Sequence, residues 1–309
     1  MSIGEAIGFV ADVGGTNTRL AVVGPSGVLS DTVARRANAA FDSFEHLVLD
    51  YLGDRRVHGP MVVAVAGPVG GTQARLTNRN WLIDAGRVAE TCGATGVTLM
   101  NDLEALGQAV PPVQPAAVEP LHAGAALGGG GQGLVIGLGT GYNVSVVHIA
   151  SGAALISEQG HASLPSSVMD VLRRHMPDTS AFDSIENLFS GVGLLRLAKV
   201  IGVEVESAEA LAKSDDPRAK EALETCTDAF GQMVRELAYA YFPRAGLYFN
   251  GSLAQFLLAP ERRARVLAPL RSETGFDGQF ARIPAFLFVS HTVALGGAAA
   301  RLIAQVEAT

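Results

Sequence analysis

Phe9-Val-Ala-Asp12-Val-Gly14-Gly15-Thr16-Asn17-Thr18-Arg19-Leu-Ala-Val-Val23 reads as two apolar strands joined by a tight glycine turn. Gly14 and Gly15 permit positive φ and leave backbone N–H groups uncovered, so the turn can form a concave set of amides suited to an anion. Thr16, Asn17 and Arg19 add donors, and the carboxylate of Asp12 sits just before the turn. A carboxylate beside a phosphate nest calls for a cation between them, which implies a hydrated Mg²⁺ held by Asp12 through water. Taken alone, an ordinary hairpin with an incidental acid explains the same residues.

A second copy decides between these readings. Gly133-Leu-Val-Ile-Gly137-Leu138-Gly139-Thr140-Gly141-Tyr-Asn-Val-Ser-Val-Val147 repeats strand, glycine turn and strand. Aligned on the turns, Asp12 falls opposite Gly137, so only the first copy carries the acid. Two such hairpins in one chain point to two related halves facing a shared ligand. The pair resembles the two phosphate motifs of the sugar kinase, Hsp70 and actin superfamily, and in detail the bacterial ATP-dependent glucokinases. The resemblance implies an α/β, two-domain actin/hexokinase-like fold, with related mixed-sheet domains around a central cleft that closes on sugar. It also implies ATP and Mg²⁺ as cofactors.

The bulk numbers agree with that class. A chain of 309 residues suggests about two domains. Charged residues are only 17%, yet no run of about 18 apolar residues predicts a membrane span. The start, Met1-Ser-Ile-Gly-Glu5, has no basic region of the signal-peptide kind, so the expectation is a cytoplasmic protein. Two cysteines, Cys92 and Cys226, make neither a metal pattern nor a disulfide framework. A net charge of −7 without a basic cluster argues against nucleic acid as a partner.

Along the chain, residues 40–52 have helical spacing and 61–66 form a buried strand. Asn78 and Asn80 precede Trp81 in a loop that is either pinned by the large side chain or, by the resemblance, close to the sugar. Asp84 caps a short helix over 85–91. The strand Val97-Thr-Leu-Met100 delivers Asn101-Asp102 to the start of a helix, a favoured site position in α/β proteins. Asp102 alone could be a plain helix cap. Three prolines, Pro111, Pro112 and Pro115, mark a linker. The small domain is therefore expected over 1–112, completed by a C-terminal helix at about 294–309, and the large domain over 113–293.

Glu158-Gln-Gly-His161 follows a strand end, and Glu186 opens a helix that glycines soon interrupt. Read alone, Glu158 and His161 fit a metal pair, a surface pair or a turn, and no further metal ligands stand nearby in sequence. As a set, Asn101, Asp102, Glu158, His161 and Glu186 match the family's glucose-contacting positions in order and type. Carboxylates and amides suit a pyranose, whose hydroxyls each offer a donor and an acceptor. By the resemblance Asp102 is the catalytic base, and Gly251-Ser252, after a strand ending at Asn250, passes under the adenosine. The family commonly has a glycine pair there, so Ser252 is a departure. A long helix is expected over 216–242, a strand over 283–289, and a last helix from Leu295. The expected activity is phosphoryl transfer from ATP to D-glucose or a similar hexose; dimers are common in that family.

Overall fold

The computed structural model describes residues 6–53, 59–76, 79–111, 115–122, 124 and 131–308. The chain forms two compact units, one of residues 1–117, 152–155 and 290–309, the other of residues 118–151 and 156–289. The division after Ala117 lies beyond the 112/113 boundary expected from the prolines, because Val118 already begins a strand of the second unit.

In the first unit, β1 (Gly8–Val13) pairs antiparallel with β2 (Asn17–Gly24), which also carries β3 (Gly27–Val28) and β4 (Ala34–Ala37). On its other side β1 runs parallel to β5 (Met61–Val65). A small separate sheet holds β6 (Val69–Gly70), β7 (Gln73–Arg75) and β8 (Leu82–Asp84), and β9 (Val97–Asn101) extends the main sheet beside β5. Both β1 and β5 are buried along their whole length, as parallel strands covered on both faces must be. Phe9, Val63 and Val65 pack with Phe44, Leu47 and Val48 of α1 (Phe44–Leu52). That helix starts later than the apolar spacing suggested. Ser43 accepts the amide of His46 as N-cap, and residues 38–40 form a separate 3₁₀ turn. Asp84 caps α2 (Ala85–Cys92) as expected, and α3 (Asp102–Ala109) follows β9 without a loop.

The C-terminal helix, Val293–Glu307, packs along α3 and against the start of β1. A Cβ on Gly297 would stand 1.7 Å from the carbonyl oxygen of Ala105, so only glycine lets the two backbones meet. A Cβ on Gly8 would meet the Leu302 side chain at 2.9 Å.

The second unit contains β10 (Val118–His122), β11 (Gln132–Leu138), β12 (Tyr142–His148), β14 (Gly246–Asn250) and β15 (Ala285–Phe288); β13 (Ala153–Ile156), between β12 and β14 in the chain, has residues 153–155 in the first unit. Its sheet runs in the order β10-β15-β14-β11-β12. The pairing of β12, β11, β14 and β15 is antiparallel, parallel, parallel, which is the pattern of β2, β1, β5 and β9. The two units therefore repeat one topology, as the paired hairpins suggested. Strand β10 was not foreseen; Pro120 breaks its pattern, and the pairing with β15 is irregular after that proline. Pro284 precedes β15 rather than interrupting it.

Helices cover this sheet: α4 (Ser166–Arg173), α5 (Ile185–Leu188), α6 (Gly191–Ile201), α7 (Ala208–Lys213), α8 (Pro217–Tyr241), α9 (Ser252–Leu257) and α10 (Arg263–Arg271). Asp216 caps α8 and Pro217 takes its first position, where a missing N–H costs nothing. Phe230, Met233 and Leu237 of α8 join Leu134, Ile136 and Phe249 in one core. The cysteines are free and buried, and burial pushes the Cys92 thiol up to about 11 and the Cys226 thiol up to about 12. Among the described residues no helix is long and apolar enough to cross a membrane.

Candidate active site

In the first unit the polar residues collect at the carboxyl edge of the parallel strands. Asp12 stands level with Ala64 of β5 and Met100 of β9, and Val13 with Val65 and Asn101. The glycine turn after β1 and the Asn101-Asp102 step after β9 thus leave the same edge, two strand spacings or about 10 Å apart. This is the edge where open α/β sheets place their ligands.

Asp12 is buried, and its Oδ2 lies 3.0 Å from Nη1 of Arg19, directly opposite on β2. Burial raises the Asp12 pKa and outweighs the opposing effect of the Arg19 guanidinium. Asn38, fully buried, accepts from the Thr18 hydroxyl at 2.8 Å and donates to the Gly14 carbonyl at 2.8 Å, which fixes the turn from below. The turn corrects one expectation. The Gly14 amide donates to the Asn17 carbonyl at 3.0 Å, and Gly14 does not take a positive φ. That amide closes the hairpin, so the anion donors left in the turn are those of Gly15 and Thr16, with the Thr16 side chain exposed.

At the end of β9, Asn101 rather than Asp102 is the N-cap of α3: its Oδ1 accepts the Leu103 amide at 2.9 Å and its Nδ2 donates to the Gly67 carbonyl at 3.3 Å. Asp102 is the first helical residue, half-buried, with Oδ1 2.9 Å from the same amide. Asn101 thereby keeps one N–H and one lone pair for another partner. Asn78 lies outside the described residues.

The second unit brings its candidates together. Gly139 donates its amide to the Gly141 carbonyl at 3.0 Å, again closing the turn; the Thr140 and Gly141 amides have no acceptor among the described residues. Gly251, at φ +108°, has no room for a Cβ, which would stand 2.3 Å from the Leu138 carbonyl oxygen. A Cβ on Gly139 would in turn touch the Ser252 hydroxyl at 3.8 Å, so the turns at 139–141 and 250–252 lie against each other. The serine in place of a second glycine is exposed and fits without strain.

Glu158 ends the strand side of a 3₁₀ turn over Gln159–His161, and its carbonyl accepts the His161 amide at 3.2 Å. Gly160 is packed so tightly that a Cβ would meet the Tyr142 carbonyl oxygen at 2.2 Å. The Ile185 amide reaches the Ala162 carbonyl at 2.9 Å, tying this turn to the start of α5, which carries Glu186. Glu186 Oε2 accepts the Tyr142 amide at 2.9 Å. Glu158, His161, Glu186 and the second glycine turn therefore form one cluster. Each carboxylate holds one oxygen to the protein; the second has no hydrogen-bond partner among the described residues and can accept a hydroxyl, and the His161 side chain is exposed. Two features escaped the sequence reading: Asn143, which bonds the Glu158 carboxylate, and Asn38 beneath the first turn. Asn38 belongs to no motif; Asn143 lies inside the second hairpin, where its place two residues past the glycine turn was the only signal.

Among the described residues no group of three or more His, Cys, Asp or Glu could cage a metal ion. Asp12 offers one oxygen beyond its Arg19 contact. That donor set fits Mg²⁺, which keeps several waters and binds through one or two carboxylates plus phosphate oxygens.

A sequence model of glucokinase matches residues 9–305. The glucokinase of Chromobacterium violaceum is 30% identical over 316 residues, covering 95% of this chain and 88% of that protein. Among solved structures, glucokinase from an Antarctic psychrotroph superposes with a TM-score of 0.80 at 24% identity, over 95% of this chain and 98% of that one. Glucokinase from Balamuthia mandrillaris, solved in complex with glucose, gives 0.70 at 18% identity, over 98% of this chain and 95% of that one. The fold is the actin/hexokinase-like α/β fold of the sugar kinases. With both glycine hairpins, Asn101-Asp102 and the Glu158–His161 turn inside the matched span, the chain belongs to the glucokinase family.

Proposed function

We propose that the chain transfers the γ-phosphoryl group of Mg-ATP to the 6-hydroxyl of D-glucose, with Asp102 as the base. Asp102 takes the proton of the 6-hydroxyl as that oxygen bonds to the γ-phosphorus; the bond from that phosphorus to the bridging oxygen breaks, and ADP leaves. The amides of Gly15, Thr16, Thr140 and Gly141 hold phosphate oxygens, where fixed donors stabilise charge as it develops. Asp12 would hold Mg²⁺ through water, and the ion, when bound, offsets the negative charge of the phosphates. Glu158, Glu186, His161 and Asn101 bind the sugar hydroxyls, and Asn78 is assigned to the same group. Gly251 and Ser252 lie under the adenosine. The small domain, expected over 1–112, runs on to Ala117 and takes in the C-terminal helix, and the large one is built from residues 118–151 and 156–289; the protein works in the cytoplasm, as a homodimer.

The observation that carries this reading is the common strand edge of Asp12 and Asn101-Asp102: phosphate nest and carboxylate base are delivered by parallel strands two places apart in one sheet, with β5 between them. The test is ADP formation from Mg-ATP with glucose, mannose, fructose, N-acetylglucosamine or no sugar. Glucose-dependent turnover is expected. ADP release that no sugar accelerates would sink the proposal, and preference for another hexose would move the substrate while keeping the chemistry.

A further inference from the structure

Asn143 faces Gly137 across β11 and β12, the same station at which Arg19 faces Asp12 across β1 and β2. Glycine opposite leaves the asparagine no cross-strand side chain to meet; its Oδ1 accepts the Val144 amide at 2.9 Å, and its other bonds go to residues 157–159. Oδ1 accepts the Ser157 hydroxyl at 3.0 Å and the Gln159 amide at 3.1 Å. Nδ2 donates to the Ser157 carbonyl and, at 3.1 Å, to Oε2 of Glu158. One side chain thus holds the backbone on both sides of Glu158 and the carboxylate itself.

We infer that Asn143 is a positioning residue that sets glucose affinity by fixing one rotamer of Glu158. The inference rests on the reading of Glu158 as a sugar ligand. An exposed glutamate samples several rotamers and loses that freedom when a ligand orders it. Ordering it beforehand lowers that cost. A neutral amide does this without consuming the negative charge, so the second carboxylate oxygen keeps its full strength as a hydroxyl acceptor; an arginine at this station would compete for it. Because the contact is the same in the ground and transition states, its loss changes KM and spares kcat.

Asn143→Asp removes the two donated bonds, keeps the three accepted ones and sets a like charge beside Glu158. The expected result at pH 8 is a glucose KM raised at least about tenfold, with kcat and the ATP KM within about twofold. Two carboxylates this close share a proton as the pH falls, so the variant's glucose KM should drop from pH 8 to pH 5 by more than that of wild type. In the double variant N143D/E158Q the amide at 158 donates to the carboxylate at 143, and this extra pH dependence should vanish. Ser157→Ala, a milder loss on the same network, should raise the glucose KM less and guards against a variant that fails to fold. The inference is overturned if N143D leaves the glucose KM within twofold of wild type, if both KM values rise together, or if N143D/E158Q keeps the pH dependence. Glu158→Gln alone separates the two layers: an unchanged glucose KM there removes Glu158 as a sugar ligand, and a raised one beside an unchanged N143D removes only Asn143.

Discussion

The Glu186 carboxylate closes the second glycine turn: Oε2 accepts the Tyr142 amide at 2.9 Å, and a Cβ on Gly141 would stand 2.6 Å from that same oxygen. A proposed sugar ligand and a proposed phosphate donor therefore share one contact. Gly141→Ala should displace the carboxylate and raise the KM for glucose and for ATP together, each by about tenfold. Glu186 has a flexible side chain, so the melting temperature should fall only slightly. Steady-state kinetics with each substrate varied in turn checks this; a change in the ATP KM alone would show that the two contacts are independent.

Asp102→Asn keeps size and shape and removes the proton acceptor. Turnover should fall by at least about a hundredfold with glucose binding retained. Equilibrium glucose binding measured beside kcat distinguishes loss of the base from loss of the site, and unchanged turnover would eliminate Asp102 as the base.

Asp12 carries a pKa raised by burial, so it binds protons more readily folded than unfolded. Stability from this group is then present at acid pH and lost as pH rises through the folded pKa. Asp12→Asn should abolish most activity yet melt no lower than wild type at pH 7, and the two melting temperatures should shift relative to one another as pH falls, the wild type gaining. Thermal denaturation from pH 4 to pH 8 tests the sign; a variant that melts well below wild type at pH 7 would mean that the Arg19 pairing outweighs the cost of burial.

Gly297→Ala places a methyl group 1.7 Å from the Ala105 carbonyl, and backbone on both sides cannot yield as a side chain can. The expected loss is about 3 kcal/mol or more, at the upper end for overpacking. Since α3 begins at Asp102, turnover should fall even in the folded fraction. Chemical denaturation and kcat on the same sample check both effects, and a variant as stable as wild type would show that the helices can separate freely.

What was legible in the sequence was local. The hairpins at 9–23 and 133–147 announce themselves by apolar runs around glycines, and Asn101-Asp102 by a strand that ends in a helix start. The positions of the turns and strand ends could be read because each depends on residues a few places apart. The network beneath them could not. Asn143 meets Glu158, Asn38 meets Gly14, and Gly297 meets Ala105 only after distant segments are packed. Glycine was also read for the wrong reason at Gly14, where the φ is ordinary, while Gly251 needs both a positive φ and an absent Cβ. No single-residue pattern separates a glycine that twists the chain from one that simply makes room.

The contact of the C-terminal helix with β1 and α3 bears on how the chain matures during synthesis. Residues 118–289 belong almost wholly to the second unit, whereas the first unit needs the helix of residues 293–307, made after all of them. Domains usually fold in the order in which they leave the ribosome. Here the N-terminal unit, with the first glycine turn and Asp102, must wait for a segment made after the second unit, so a chain stalled before residue 293 carries a finished second unit and an uncovered first sheet.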